Sequence, residues 1–381
     1  MSGSSRQSFL YVIEDEYAQY PKARETDTDL MWFVPPPGSW FESSHSRSVS
    51  SIYEVGMKRL ADFNYGKISG TWQWTFVLDY NYLEPFLLFF EGYDYSEFSP
   101  DKNSENPWTN WGTHRFYKTE TGTVRSFTVR RKRLHRVAGG IADEVVDLQG
   151  CVCTTLTMAQ SAGGSETRVT LAGIYSTEHI NTDYTNLSLD IPENRTPVLT
   201  EFGCVYNGSD LITNVQDWGI RIGNNVKGIY GVGYPCVRSY YEEETAYAFS
   251  LTAFANNPKQ LAQRVLSGGY RNDLHAPINE KALPIPRLSL RSRSPAIETY
   301  FDPDSDEKRE FRYSMDVDII DCTVNAMTWP SGDGSKLVDK LSNGRCAYME
   351  FTFVNKCPQS YLSELRSEGF WDEHLIRSEL E

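Results

Sequence analysis

The fold class is indicated by the stretch Ile68-Ser69-Gly70-Thr71-Trp72-Gln73-Trp74-Thr75-Phe76-Val77-Leu78. Aromatic side chains occupy every second position from 72 to 76, and polar side chains occupy the positions between them. Because successive side chains of a strand point to opposite faces of a sheet, this alternation predicts a half-buried β-strand with both tryptophans in the core. The 381 residues include 23 Tyr, 19 Phe and 9 Trp, and aromatic residues favour strands. The sequence therefore predicts a mainly β protein.

A related region follows in the second half of the chain. Ser51-Ile52-Tyr53-Glu54-Val55-Gly56 reappears as Gly228-Ile229-Tyr230-Gly231-Val232-Gly233, an offset of 177 residues from 51 to 228. Without a gap, the same offset aligns Trp72-Gln73-Trp74-Thr75 with Phe249-Ser250-Leu251-Thr252. Solenoid repeats have periods of roughly 20–50 residues, so a spacing this long indicates a duplicated domain.

The length suits two domains. We expect an N-terminal arm at 1–29, a first module at 30–175, a linker at 176–199, a second module at 200–354 and an acidic helical tail at 355–381. Further strands are predicted near 113–118, 125–130, 150–159, 168–174, 202–206, 217–223, 246–255, 311–320 and 345–354. Residues 150–159 and 168–174 are expected to form a hairpin around Gly163-Gly164.

A short helix is expected in each module. The first spans about 82–91, with Pro85 in its first turn and Gly92 at its end, and the second begins at Pro258. The polar, proline-containing stretches 94–111 and 273–309 predict a loop and a long excursion.

Charge and motifs limit the function classes. The net charge of −14 argues against tight nucleic-acid binding but not against a surface past which DNA slides. The six histidines show no metal-ligand spacing, and the sequence carries no Walker loop and no nucleophile elbow. The sequence therefore predicts neither an enzyme nor a site for a metal or cofactor. Its seven cysteines, an odd number without framework spacing, predict free thiols.

No targeting or membrane segment is expected. The first five residues are polar and lack the apolar stretch of a signal peptide. Apolar runs such as Phe86-Leu87-Leu88-Phe89-Phe90 are too short to cross a bilayer. These features predict a protein that is made in a cytoplasm and has no membrane partner.

One basic run stands out in this acidic chain, at 130–136. As a polycation it could bind phosphate. Alternatively, it could dock on an acidic patch of a neighbouring subunit, which we favour because assembly needs complementary patches. The candidate assembly contacts are Arg130, Arg131, Lys132, Arg133 and Arg136. The same interpretation applies to Arg287, Arg291 and Arg293.

The pattern as a whole resembles the two-module family of phage tail tube proteins over about residues 30–354. The resemblance rests on the strand–helix unit Gly70 to Gly92, the stretch Gly140 to Tyr175, the run Val215 to Asn225, Ala246 to Gly269, and the closing strands at 315–320 and 348–353. It is a pattern of strands and turns, not a signature of fixed residues.

This resemblance implies two β-sandwich or barrel-like modules, each flanked by a short helix. It also implies a structural virion protein whose modules join sheets around a ring, with rings stacked into a tube that carries viral DNA. The implied partners are other copies of the chain, other tail proteins and DNA in transient passage, and the implied location is the virion tail. Since such rings usually present six modules, two modules per chain predict three chains per ring, with six chains as the alternative.

Two other functions fit the composition. A carbohydrate-binding or carbohydrate-active β-sandwich would use aromatic rings for stacking and carboxylate pairs for hydrolysis. Another virion component, such as a baseplate or capsid-decorating protein, would share the fold class and the absence of catalytic motifs.

Overall fold

The structure is a computed structural model. It describes residues 9–14, 17–18, 35–36, 38–53, 60–98, 111–137, 140–161, 166–181, 196–199, 203–208, 210–212, 215–232, 234–254, 285–301, 308–328 and 338–356. This part of the chain is mainly β, as the sequence predicts, and contains a large antiparallel sheet.

The first half contributes nine strands and one helical turn to the described residues. They are β1 (Phe9–Ile13), β2 (Trp40–Tyr53), β3 (Leu60–Val77), α1 (Glu84–Leu87), β4 (Gly92–Phe98), β5 (Trp111–Tyr117), β6 (Ser126–Val137), β7 (Gly140–Ser161), β8 (Arg168–Tyr175) and β9 (Thr177–Asn181).

The second half contributes strands only to the described residues. They are β10 (Gly203–Asn207), β11 (Asp210–Ile212), β12 (Val215–Gly223), β13 (Lys227–Tyr230), β14 (Val237–Tyr241), β15 (Ala246–Phe254), β16 (Ile285–Arg293), β17 (Glu298–Phe301), β18 (Lys308–Phe311), β19 (Ser314–Thr328), β20 (Val338–Cys346) and β21 (Tyr348–Asn355).

Seventeen strands form one hydrogen-bonded system, and β13–β14 and β17–β18 form separate hairpins. The first half gives the order β1-β6-β7-β8-β3-β2, with β9 beside the first part of β7. The second half gives β10-β16-β19-β20-β15-β12, with β21 beside the first part of β19. Within β7 and β19, Gly150 (φ 65°) and Asp321 (φ 53°) adopt left-handed conformations, and each strand changes partners nearby.

One hydrophobic core joins the two halves. Trp72 and Trp74 are 3% and 0% exposed, which confirms the prediction that this face of the strand is buried. Phe86 of α1 packs against Phe351 and Phe353 of β21, with ring centroids 5.7 and 5.2 Å apart. Burying each such ring stabilises the fold by about 1.5–3 kcal/mol, so the C-terminal strand is held by the first half of the chain.

The predicted strand regions of both halves are confirmed, but three other predictions need correction. The first helix is one turn that ends at Leu87, and Gly92 begins β4 instead of ending the helix. The predicted loop at 94–111 contains the end of β4, which β5 pairs. The predicted excursion at 273–309 contains β16 and β17, because β16 finds partners in β10 and β19.

Two predicted connecting segments also contain strands. β1 lies within 1–29 and pairs with β6, and β9 lies within 176–199 and pairs with β7. The helix predicted from Pro258 and residues 357–381 of the predicted tail lie outside the described residues.

Candidate assembly interface

The basic run lies on β6, and its first two arginines are buried. Arg130 is 1% exposed, and its Nε and Nη2 each donate to a carboxylate oxygen of Asp147 at 2.7 Å. Arg131 is 7% exposed, and its Nη2 lies 3.9 Å from Oε1 of Glu178. Paired hydrogen bonds of this kind fix geometry as well as adding energy, so Arg130 fastens β6 to β7.

The rest of the run continues along β6. Lys132 is half-buried, and Arg133 and Arg136 lie opposite positions 144 and 141 of β7. Docking on a neighbouring subunit stays a prediction for this run. Its test belongs at Arg133 and Arg136, because changing Arg130 would break a pair inside the chain.

The second group of arginines lies on β16 and faces carboxylates of β19. Arg287 donates to both carboxylate oxygens of Asp318, at 2.9 and 2.5 Å. Arg293 donates to Asp316 at 2.9 and 3.2 Å, and Arg291 Nε lies 3.8 Å from the same carboxylate. These arginine side chains are 38–52% exposed, so each pair contributes about 0–1 kcal/mol. Their charge is compensated within the chain.

The 177-residue offset of the sequence recurs in the strand pairing. In the first half, positions 40–46 of β2 pair with 75–69 of β3, and positions 50–53 pair with 64–60. Adding 177 to both members gives the pairs of 217–223 with 252–246 and of 227–230 with 241–237, all of which are present. Even the irregularity recurs, since the register shifts between Ile52 and Tyr53 and again between Ile229 and Tyr230.

A second offset, of 171 residues, relates the remaining strands. Positions 145–149 of β7 pair with 181–177 of β9, and positions 316–320 of β19 pair with 352–348 of β21. The left-handed residues Gly150 and Asp321 also differ by 171. The buried thiols that follow them, Cys151 and Cys322, donate to the carbonyl groups of Leu148 and Ile319 at 3.5 and 3.3 Å. We call β1–β3 with β6–β9 the first repeat, and β10, β12–β16 and β19–β21 the second repeat.

The two repeats are joined edge to edge. Positions 155–161 of β7 pair with 223–217 of β12, so the sheet continues from one repeat into the next. Asn224 extends this junction, because its backbone N–H donates to the carbonyl of Thr154 at 2.8 Å. A second link is the pairing of β5 with β21, reinforced by Arg115 donating to Glu350 at 2.5 and 2.9 Å.

The two strand edges that correspond to this junction have no strand partner among the described residues. β2, the counterpart of β12, pairs with β3 alone. Positions 323–328 of β19, the counterpart of the second part of β7, pair with β20 alone. An unpaired edge carries free N–H and carbonyl groups that can bind another strand. We call these the β2 edge and the β19 edge.

Exposed apolar side chains lie near the repeat positions. Val49 of β2 is 50% exposed, whereas Val226, its counterpart at the 177-residue offset, is 8% exposed. Ile180 of β9 is 64% exposed, whereas Phe351, its counterpart at the 171-residue offset, is 0% exposed. Val232, at the turn after β13, is fully exposed. Each is an apolar surface that another copy of the chain could cover.

A buried carboxylate holds the N-terminal strand in place. Glu14 Oε1 accepts hydrogen bonds from Thr128 Oγ1 at 2.7 Å and from the N–H of Gly150 at 2.8 Å, and Oε2 accepts from the N–H of Ala18 at 2.9 Å. Burial raises the pKa of Glu14, and these hydrogen bonds oppose the rise. Residues next to β1 are thereby attached to the bend of β7.

Several other titratable groups are structural. Lys118 donates to Glu91 and to the carbonyl of Phe89 at 2.9 Å, and burial lowers the pKa of this lysine. Burial raises the pKa of Cys151 and of Cys153. Over the described residues, no group of three or more His, Cys, Asp or Glu side chains is placed to hold a metal ion. The six cysteines of that part are free, and none of its helices is long and apolar enough to cross a membrane.

Sequence reasoning missed the two open edges, although the sequence contained a signal. Asp147-Leu148-Gln149-Gly150-Cys151 and Asp318-Ile319-Ile320-Asp321-Cys322 carry the 171-residue offset with their aspartates and cysteines aligned. Together with the 177-residue offset, this second match marks which strands correspond. Edges become visible only when the strand pairing is known.

No protein-family model and no curated protein matches this chain, so its function is argued from the fold and the two edges.

Proposed function

We propose that this protein is a structural virion protein, the tail tube subunit of a tailed phage or related virus, and that it has no enzymatic activity. It assembles with itself into rings, and the rings stack into the conduit through which viral DNA passes. The observation that carries the proposal is the recurrence of strand pairing at offsets of 177 and 171 residues, together with an edge-to-edge junction inside the chain. A chain that already joins two equivalent sheets has the connection that a ring needs.

The number of chains per ring follows from closure. A ring of fixed circumference needs a fixed number of repeats, and each chain supplies two. The resemblance to tail tube proteins favours six repeats, hence three chains with approximate sixfold shape. The two repeats differ, with Trp72 in the place of Phe249, so strict sixfold symmetry is not expected.

The charge distribution suits passage of DNA. The chain carries a net charge of −14, and arginines of both basic clusters pair with carboxylates of the same chain. Like charges repel, so an acidic surface lets DNA slide without adhering. Other tail proteins are the remaining partners of the proposed subunit, which is made in the host cytoplasm and ends up in the virion tail.

The carbohydrate alternative loses one of its supports. Trp72 and Trp74, the aromatic pair on one strand face, are buried against Phe127 and Phe9, with ring centroids 5.2 and 5.3 Å apart, and cannot stack on a sugar. Another virion component stays the alternative, and assembly state distinguishes it.

Negative-stain electron microscopy of the concentrated, purified protein tests the proposal. We expect rings or tubes with a central channel. A monodisperse monomer at all concentrations and salt conditions would contradict self-assembly and favour a different virion part. Hydrolysis of a glycan panel by the same sample would favour the carbohydrate alternative.

A further inference from the structure

The junction inside the chain defines how one repeat binds the next. At this junction, the edge of β12 in the second repeat pairs with the second part of β7 in the first repeat. The counterpart of β12 is β2, and the counterpart of the second part of β7 is positions 323–328 of β19. The same junction can therefore form once more for each chain, between the β19 edge of one copy and the β2 edge of another.

We propose that the β19 edge of each copy pairs antiparallel with the β2 edge of the next, in the register of the internal junction. In that junction, positions 223, 222 and 221 face positions 155, 156 and 157. Subtracting 177 from the first set and adding 171 to the second gives Ser46 opposite Ala326, His45 opposite Met327, and Ser44 opposite Thr328. This inference rests on the proposed function, because it assumes that the chain assembles with itself.

Both offsets hold on each side of the seam. The 177-residue offset reproduces the pairing of β2 with β3 at all positions from 40 to 46. The 171-residue offset carries Val152 opposite Ile174 to Thr323 opposite Arg345, and Leu156 to Met327, which faces Leu341 as Leu156 faces Leu171. The two edges thus have the backbone geometry of the strands that already pair.

Burial at the two copies of the edge supports a missing partner. Ile222 of β12 is 0% exposed at the internal junction, whereas the side chain of its counterpart His45 is 68% exposed. Val226, just beyond β12, is 8% exposed, and its counterpart Val49 is 50% exposed. The side chains of β2 are open at the positions where the internal junction covers those of β12.

The seam is head to tail, because the β19 edge and the β2 edge are different surfaces. A contact of this type closes into a ring when its rotation divides a full turn, and otherwise produces a filament. If the seam repeats the geometry of the internal junction, every repeat binds its neighbour in the same way. Three chains then present six equivalent steps, and closure removes both unpaired edges.

Engineered disulfides in the assembled particles test the seam. The in-register variants are Ser46→Cys with Ala326→Cys and Ser44→Cys with Thr328→Cys. Directly opposite residues lie within the roughly 4.4–6.8 Å between Cα atoms that a disulfide spans. After mild oxidation we expect covalent dimers and trimers on a non-reducing gel, and only monomers after reduction.

Two matched controls accompany these variants. Thr157→Cys with Arg221→Cys places the same pair at the internal junction, where both side chains are exposed, and should give a disulfide within one chain. Ser44→Cys with Ala326→Cys is displaced by two residues on the same face, where diagonal neighbours are about 7–8 Å apart, and should stay uncross-linked. The parent chain, with its own cysteines, gives the background.

The outcomes separate the seam from the proposed function. If rings form and the internal control cross-links, but neither in-register variant yields dimers, the seam is wrong and self-assembly stands. Equal cross-linking of the displaced variant would refute the register. A disulfide confined to the monomer band of the in-register variants would show that the two edges meet within one chain. If no particles form, the seam and the proposed function fail together.

Discussion

At the scale of single residues, one aspartate position serves both repeats with different partners. Asp147 binds Arg130 on the neighbouring strand, while Asp318, its counterpart at the 171-residue offset, binds Arg287 and Ser289. Both aspartates therefore connect the third strand of a sheet segment to the strand beside it. Their environments differ, because the first pair is buried and the second is half-exposed.

The difference in burial predicts different mutational costs. Arg130→Ala leaves the buried carboxylate of Asp147 without its main partner, and we expect a loss of about 3–5 kcal/mol in the free energy of unfolding. Lys227→Ala, which removes the exposed pair with Glu243, should leave the denaturation midpoint unchanged. Urea titrations followed by tryptophan fluorescence measure both. Equal midpoints for the two variants would contradict the assigned role of Arg130.

A second residue-scale prediction concerns His114, which is 3% exposed between two hydrogen-bond partners. Its Nδ1 accepts from the hydroxyl of Tyr93 at 2.8 Å, and its Nε2 donates to Oδ1 of Asn355 at 3.0 Å, because the amide group of Asn355 donates to the carbonyl of Tyr80. Burial lowers the pKa of His114 to about 4. The neutral imidazole thus joins β4, β5 and β21.

Since the folded pKa lies below the ordinary value of 6.5, the unfolded chain binds the proton first as the pH falls. The stabilisation is complete above pH 6.5 and is lost between there and about pH 4, by about 3 kcal/mol. His114→Gln keeps a donor and an acceptor but does not titrate, so the difference in unfolding free energy between the parent and this variant should shrink over that window. A pH-independent difference would refute a neutral buried His114.

At the scale of elements, each repeat places a glycine under an aromatic ring of the adjacent strand. Gly173 of β8 faces Trp72 of β3, and Gly344 of β20 faces Phe249 of β15. A Cβ atom on Gly173 would lie 1.9 Å from the carbonyl oxygen of Val152, and one on Gly344 would lie 2.5 Å from the ring of Phe249. The ring covers the backbone in both repeats, so a side chain has no room there.

Gly173→Ala and Gly344→Ala should therefore destabilise the protein, by about 1–3 kcal/mol or more each, through overpacking. Gly223→Ala is the control, since a Cβ atom there meets no atom within 4 Å. Thermal unfolding of the three variants measures the effect. A Gly173→Ala variant as stable as Gly223→Ala would contradict the packing of β8 against β3.

The basic strand β6 gives a separate test of assembly. Arg133→Glu with Arg136→Glu should weaken ring formation while leaving the unfolding midpoint unchanged, if these arginines dock on an acidic patch of a neighbour. Arg130→Glu should instead destabilise the folded chain, because it places a carboxylate beside Asp147. Sedimentation velocity combined with urea unfolding distinguishes the two effects. Normal particles from the double variant would refute docking through this run.

Local patterns predicted those strands whose own residues alternate, such as β3, β8 and β15. β4, β9 and β16 were assigned to a loop, a linker and an excursion, since prolines or polar residues dominate around them. These strands form because distant partners pair with them: β5, the first part of β7, and β19. The position of Arg130 inside the protein was also beyond sequence reasoning, because its partner Asp147 is identified only by the register of β6 with β7.

At the scale of the whole molecule, the chain is a pair of repeats joined by one seam, with one more seam open at its ends. The core spans both repeats, with Phe86 of the first half against Phe351 of the second, so neither half is expected to fold alone. The open seam explains why apolar residues such as Val49 are exposed in the isolated chain while their counterparts are buried. Assembly would cover them.

The rotational symmetry of the assembled particle tests this account most directly. A cryo-electron microscopy reconstruction of rings or tubes should show three chains per ring, approximate sixfold shape, and a β-strand pair between positions 326–328 of one chain and 46–44 of the next. Six chains per ring, or rings in which the β2 edge and the β19 edge face solvent, would contradict it.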